Sequence, residues 1–164
     1  MVDIPVAYCA SSFGIFKITG DEKGIQSIQL TPKKVLPDQV VPAPLKKAVR
    51  QLTQYFNGRR KAFDLKLNFG DAPAFHQEVW QELITIPYGH TTSYSAIANT
   101  LGDINKMRAV GQANGKNPIP IVIPCHRVIA KNGKLQGYYY GLEMKRKLLE
   151  LENPMSFAEQ GSLF

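Results

Sequence analysis

The chain has 164 residues, with 20 Lys and Arg against 13 Asp and Glu, a formal charge of +7, and 44% apolar residues. That length suits one domain or two small ones with a buried core, and the balance of apolar to charged residues excludes a disordered chain. The positive charge favours a polyanionic partner, nucleic acid first and an acidic membrane second, without selecting a function.

Three short strands in a meander are predicted first, over 6–10, 14–18 and 24–30, separated by Ser11-Ser12 and by a turn at Gly20-Asp-Glu-Lys23. Residues 31–44, rich in Pro, Lys and Val, read as a connecting loop. Leu45, Ala48, Val49, Leu52 and Phe56 recur at helical spacing and Asn57-Gly58 stops them, so a helix is expected over about 44–56. Phe63, Leu65, Leu67 and Phe69 alternate with polar residues and predict a further strand. A second unit begins near Gly70-Asp-Ala-Pro73, where Phe75, Val79, Leu83 and Ile86 mark a helix that ends before Pro87. Thr92 or Ser93 is placed to cap a helix running from Tyr94 to about Thr100, and a turn leads to another from about Asn105 to Ala113. Ala98 lets two helices cross closely and Gly102 permits the turn between them, which fits a helix-turn-helix or an ordinary helical corner. The expected fold is an α/β amino-terminal domain over 1–72 (a small antiparallel sheet plus helix), followed by a mainly α-helical carboxy-terminal domain with a helix-turn-helix over 73–164.

The charge is not spread evenly. Residues 87–147 hold nine Lys and Arg and two acids, Asp103 and Glu143, while the remainder of the chain sums to zero. The excess therefore coincides with the helix pair and the segment carrying Cys125, as expected of a phosphate-contacting surface. No apolar run reaches the length of a bilayer span. The start, Met1-Val-Asp-Ile-Pro5, lacks the positive charge of a signal peptide. Cys9 and Cys125, with 115 residues between them, cannot staple a secreted mini-fold, and neither CxxC nor HxxxH occurs to hold zinc. A reducing cytoplasmic compartment is expected.

The segment Asn117-Pro-Ile-Pro-Ile-Val-Ile-Pro-Cys125-His126-Arg127-Val128 is the most informative. Its prolines make it stiff and non-helical, and its apolar residues make it buried, so Cys125 is held in a defined place. His126 and Arg127 come immediately after, and such groups favour a thiolate over a thiol. Cys125 is thus a candidate nucleophile, against the alternative of a small buried hydrophobe. Neighbours on an extended segment point opposite ways, so His126 need not touch the sulfur directly.

Pro124-Cys125-His126-Arg127-Val128 resembles the active-site signature of the O6-alkylguanine-DNA alkyltransferases (methylated-DNA–protein-cysteine methyltransferases). Ile86-Pro-Tyr-Gly89, Ser93-Tyr94-Ser-Ala-Ile-Ala98, Arg108-Ala-Val-Gly111, Asn117-Pro118, Gly137-Tyr138 and Gly141-Leu142 keep that family's order and spacing. The resemblance spans roughly residues 73–153, and the first unit matches only in general layout. It implies a DNA-repair enzyme that flips an O6-alkylated guanine out of duplex DNA and moves the alkyl group irreversibly onto cysteine sulfur, once per molecule.

By that resemblance Cys125 is the alkyl acceptor, His126 acts through a water as base, and Glu152 orients the histidine. Tyr94 pushes a phosphate during flipping and donates to the guanine ring. Arg108 enters the base stack, Lys106 joins the DNA-contacting set, and Asn117 braces the turn between helix and active-site loop. The Val128 carbonyl and the Tyr139 backbone N–H grip the base edge and O6, with Tyr138 and Tyr140 lining the same pocket. Tyr140 places a bulky ring where some members carry a small residue, so methyl is expected over benzyl adducts. No cofactor and no metal are expected, since Cys9 stands alone in the first unit where some relatives bind zinc. No amino-terminal metal-thiolate module or regulatory domain is seen, so repair alone is expected, by a monomer on double-stranded DNA without membrane contact. The tail Gln160-Gly-Ser-Leu-Phe164 resembles the short motif by which bacterial repair proteins engage the DNA sliding clamp. Two competing readings stand beside this one: a helix-turn-helix binder that only flags lesions, and a cysteine hydrolase turning over through Cys125 and His126.

Overall fold

The computed structural model describes residues 3–135 and 137–155, so the Gln160-to-Phe164 motif lies outside the described residues. The chain divides into two compact units, Met1–Asp71 and Ala72–Phe164.

In the first unit, strands β1 (Val6–Ser11), β2 (Gly14–Asp21) and β3 (Gly24–Leu30) form an antiparallel sheet in chain order. The register pairs Cys9 with Phe16 and Ile18 with Ile28, which puts Ala7, Cys9, Phe16, Ile18 and Ile28 among the fully buried positions. Helix α1 (Lys46–Phe56) presents Ala48, Leu52, Tyr55 and Phe56 to that core. The Phe16 and Phe56 rings stack at 5.2 Å, and the apolar spacing of α1 is thereby matched to a sheet face. The helix is entered through a 3-10 turn at Ala43–Leu45, so it starts slightly later than its periodicity suggests.

The predicted strand around Phe63 to Phe69 is a correction. It contributes one parallel bridge, Ile25 to Leu67, held by Ile25 N–H to the Lys66 carbonyl (2.8 Å) and Asn68 N–H to the Ile25 carbonyl (2.9 Å). Alternation there reports inward-facing side chains, such as Phe63 against Tyr55, and not an extended ladder. Gly24 makes the approach possible: at φ +132° a Cβ would lie 2.9 Å from the backbone of Leu67 and Lys66.

The second unit is mainly helical, with α2 (Ala74–Ile84), α3 (Tyr94–Thr100), α4 (Met107–Gly115) and α5 (Leu142–Glu152). Ser93, rather than Thr92, caps α3, its hydroxyl accepting from the Ala96 N–H at 3.1 Å. Ala98 is fully buried against the crossing and Gly102 takes φ +94° in the turn, as the small-residue spacing requires. A 3-10 turn at Ile104–Lys106, capped by Asp103, leads into α4. Trp80 of α2 donates its indole N–H to the Ala113 carbonyl (2.9 Å), fixing the last turn of α4. Two-residue strands β4 (Thr92–Ser93) and β5 (Val128–Ile129) pair in parallel and bring the start of α3 beside the segment just after Cys125. No helix among the described residues is long and apolar enough to cross a membrane.

Candidate active site

Cys125 sits in a buried 3-10 turn, Cys125–Arg127, so the expectation of a wholly non-helical segment is corrected by one turn. Pro124, at φ −80° and ψ 64°, leads into the turn, and its carbonyl accepts from the Arg127 N–H at 2.9 Å. Every residue from Ile119 to Val128 is buried. Ile121 is held at φ +77°, a left-handed conformation costly for a β-branched side chain and sustained here by its buried surroundings.

Asn117 braces this loop with both ends of its amide. Nδ2 donates to the Ile123 carbonyl at 2.7 Å and Oδ1 accepts from the Ile119 N–H at 2.9 Å. From the end of α4, Asn114 donates to the Cys125 carbonyl at 3.5 Å.

The Cys125 residue is 5% exposed. Burial pushes its pKa up to about 11, against the opposing pull of the Asn117 side chain and the Lys145 ammonium. Burial thus favours the thiol at neutral pH, opposite to the thiolate that a neighbouring His and Arg would favour. The reason lies in where those two side chains point. His126 Nε2 lies 2.6 Å from Glu152 Oε2, with both side chains buried. Arg127 binds the same carboxylate through Nε (2.8 Å) and Nη2 (3.0 Å) and donates Nη1 to the Ile86 carbonyl (2.6 Å). Burial alone would raise the Glu152 carboxyl, but the His126 and Arg127 hydrogen bonds and charges outweigh it and hold the pKa at about 2. Burial, with the Arg127 and Lys145 charges added to it, lowers the His126 pKa against the opposing pull of Glu152, so the imidazole is biased to its neutral form. Its Nδ1 has no partner among the described residues.

Lys145, fully buried on α5, carries no signal in the sequence that marks it as part of the site. Its Nζ donates to the Gly137 carbonyl at 3.1 Å, and burial lowers its pKa to about 8 while the neighbouring Cys125 opposes the fall. The helical positions Lys145, Leu148, Leu149 and Glu152 are all buried, but two of them are charged, so apolar periodicity could not reveal the stripe or the helix α5.

Tyr94 is half-buried at the start of α3. Its phenol is pushed above its usual pKa by burial and by Cys125, and its Oη lies 3.6 Å from where Gly137 would carry a Cβ. Tyr138 is shifted upward by the same two causes, then by Tyr140 and Glu152. Its ring meets Tyr140 edge-on at 6.1 Å, and Tyr140 meets the exposed Tyr139 at 4.9 Å. Val128 is fully buried in β5. Cys125, His126, Glu152, Tyr94, Asn117, Val128 and Tyr138 are thus gathered into one neighbourhood. Arg108 and Lys106 are not part of it: both are exposed at the start of α4, with the Lys106 ammonium 5.2 Å from the Phe75 ring centre. Cys9 is buried in the first unit beside the Thr53 hydroxyl (3.5 Å), with its pKa raised by burial. Among the described residues no cluster of three His, Cys, Asp or Glu is placed to hold a metal.

The arrangement is a buried thiol, a neutral imidazole oriented by a carboxylate, and a phenol that keeps its proton. Groups of these types accept and donate protons in nucleophilic transfer.

Comparison with known proteins identifies the family. Residues 74–154 match the family described as "6-O-methylguanine DNA methyltransferase, DNA binding domain", and residues 4–69 match its ribonuclease-like domain. The chain is 44% identical over 147 residues to a methylated-DNA–protein-cysteine methyltransferase of Methanosarcina acetivorans, covering 87% of this chain and 94% of the relative. It is 49% identical over 118 residues to the Mycobacterium tuberculosis protein of the same name, covering 72% and 71% of the two chains. Among solved structures, the Mycobacterium tuberculosis OGT in complex with DNA superposes with TM-score 0.82 at 40% identity, covering 91% of this chain and 92% of that one. The chain belongs to the 6-O-methylguanine DNA methyltransferase family, the methylated-DNA–protein-cysteine methyltransferases.

Proposed function

We propose that this protein repairs duplex DNA by transferring the alkyl group of an O6-alkylguanine to Cys125, once per molecule, after flipping the damaged nucleotide. The observation that carries this reading is a buried Cys125 thiol followed directly in the chain by a buried His126 paired with Glu152, the histidine Nδ1 having no partner among the described residues. A thiol with a pKa near 11 needs a base at the moment of reaction. The Sγ proton leaves to His126 Nδ1 through a water, sulfur attacks the sp³ carbon, the S–C bond forms and the C–O6 bond breaks. Tyr94, protonated at neutral pH, donates to the guanine ring as the leaving group takes up charge. The thioether is stable, so no step regenerates the thiol.

The exposed cationic start of α4, with Arg108 and Lys106, supplies phosphate contacts, and Arg108 fills the space left in the base stack. The Val128 carbonyl and Tyr139 N–H hold the extruded base. Titrating the protein with duplex carrying radiolabelled O6-methylguanine tests this reading: a plateau of one methyl per active molecule supports it. Continued turnover contradicts it in favour of a hydrolase, and DNA binding without transfer contradicts it in favour of a lesion flag.

Tyr140 is half-buried and meets the rings of Tyr138 and Tyr139 edge-on; in the proposed reaction its bulk narrows the space for the alkyl group. Methyl is expected to transfer faster than benzyl, and Tyr140→Gly to narrow the gap by about tenfold, as one removed wall of a hydrophobic pocket does. Equal wild-type rates for the two adducts would sink the assignment. The Gln160-Gly-Ser-Leu-Phe164 tail is the candidate sliding-clamp ligand. A chain lacking 160–164 should lose clamp capture in a pull-down while keeping methyl transfer; unchanged capture refutes the role.

A further inference from the structure

We propose that Arg127 is the positioning residue of the site, clamping Glu152 so that His126 presents an uncharged Nδ1 as proton acceptor. This rests on the reading of Cys125 as alkyl acceptor and His126 as its base, and goes beyond it by assigning the group that makes the histidine a base.

Each nitrogen of the Arg127 guanidinium is engaged. Nε and Nη2 take the two oxygens of Glu152 at 2.8 and 3.0 Å, Nη1 takes the Ile86 carbonyl at 2.6 Å, and the plane lies 5.8 Å from the Tyr88 ring centre. The carboxylate is thus tied to the residues just before β4 as well as to α5. A planar fork can hold both oxygens in one orientation; an ammonium cannot.

The clamp has two consequences for His126. The first concerns the tautomer. Glu152 Oε2 accepts from Arg127 Nη2 and lies 2.6 Å from His126 Nε2, so a carboxylate kept ionised there accepts a hydrogen bond from an Nε2–H. A neutral imidazole has one ring proton, and placing it on Nε2 leaves a lone pair on Nδ1.

The second concerns charge. An ionised Glu152 alone would draw a second proton onto the ring, and an imidazolium has no lone pair to accept the thiol proton. Arg127 offsets that carboxylate at contact distance. The charged and titratable groups around the ring are Glu152 and Lys145 from α5, Arg127 and Cys125 from its own turn, Tyr138 from the loop before α5, and Tyr88 beside Arg127 and Glu152. Of these, Glu152 raises His126, while Arg127 and Lys145 lower it in addition to burial.

The test is the pH dependence of single-turnover methyl transfer from duplex DNA for the wild type, Arg127→Gln and Arg127→Lys. Arg127→Gln is expected to move the acidic limb upward by about one pH unit, giving a tenfold deficit near pH 6 that closes to within about threefold near pH 8.5. Arg127→Lys keeps the charge but not the fork, so its limb stays near the wild-type position while its plateau falls several-fold. An Arg127→Gln profile that superimposes on the wild type after scaling overturns the proposal and leaves Arg127 a structural residue. Because removing one partner of a buried pair can unfold the chain, nitrogen-15 NMR of the histidine-labelled wild type supplies a second readout. A neutral ring protonated at Nε2 near pH 7 is expected; an imidazolium, or a proton on Nδ1, overturns the proposal. Failure of the wild type to methylate Cys125 would instead strike the underlying reading, and the NMR result distinguishes the two.

Discussion

Glu152→Gln should lower single-turnover methyl transfer at neutral pH by about 100-fold or more, the scale of a lost or misaligned general base. The same substitution should cost about 3–5 kcal/mol of folding stability, because the Arg127 guanidinium is left in the interior without its counter-charge. Both effects have one origin: Glu152 is 8% exposed and receives Arg127 at 2.8 and 3.0 Å, with His126 at 2.6 Å. The pH dependence comes from the direction of its shift. The carboxyl is depressed from 4.5 to about 2, so its contribution is present above the unfolded value and is lost as pH falls from about 4.5 towards 2. Its size is about 3 kcal/mol by linkage. Denaturant melts across that acid range should slope for the wild type and flatten for Glu152→Gln. Coincident melts, with transfer intact, would show that the buried carboxylate neither orients the histidine nor supports the fold.

Lys145→Met should separate activity from stability. The ammonium is fully buried and its pKa is lowered to about 8, so folding carries the cost of desolvating a charge at neutral pH. What that charge contributes is an attraction for the Cys125 thiolate as the proton leaves. Removing it raises the thiol further. The thiolate population falls by more than the accompanying gain in nucleophilicity, so transfer near neutral pH should slow by about tenfold. The melting temperature should stay the same or rise, although the Gly137 carbonyl loses its donor. The Lys145 contribution to stability, read as the difference between wild-type and Lys145→Met melts, should rise in favour of the wild type as pH goes from about 8 towards 10.5, where the folded protein has released that proton and the unfolded chain has not. A Lys145→Met protein that transfers at the wild-type rate would remove Lys145 from the mechanism. Lys145→Arg, which keeps a charge, should fall between the two.

The parts of this molecule that obey a simple period were legible from its residues. The meander of β1 to β3, the apolar stripe of α1 and the Ser93 cap each arise from local chemistry that tertiary contacts reinforce. The alternation from Phe63 to Phe69 was misleading because period two reports only which side chains turn inward. Whether a neighbouring strand lies within reach depends on a contact between distant residues, here one bridge at Gly24 and Ile25. Helix α5 was hidden for the opposite reason. Two of its buried positions are Lys145 and Glu152, which look like surface residues until the groups that accompany them inside are known.

The same limit governs the site. Cys125 and His126 could be picked out as adjacent reactive residues on a stiff segment. That Arg127 turns away from the sulfur to Glu152, some 25 residues on, is a matter of three-dimensional packing. Burial therefore favours the thiol, and the proposed reaction places activation of the sulfur at the moment of transfer. Lys145 and the Asn117 side chain, which reach the sulfur from α5 and from the loop after α4, complete an environment that no single stretch of sequence contains.

Whether Cys125 accepts the alkyl group is tested most directly by intact-protein mass spectrometry after incubation with duplex DNA bearing O6-methylguanine. Peptide mapping locates any adduct, and Cys125→Ser is run alongside. A single added methyl group is expected on the wild type, mapped to Cys125 and not to Cys9, with no addition to Cys125→Ser. An unmodified wild-type protein that binds the duplex, or a methyl group mapped to any other residue, would contradict the assignment.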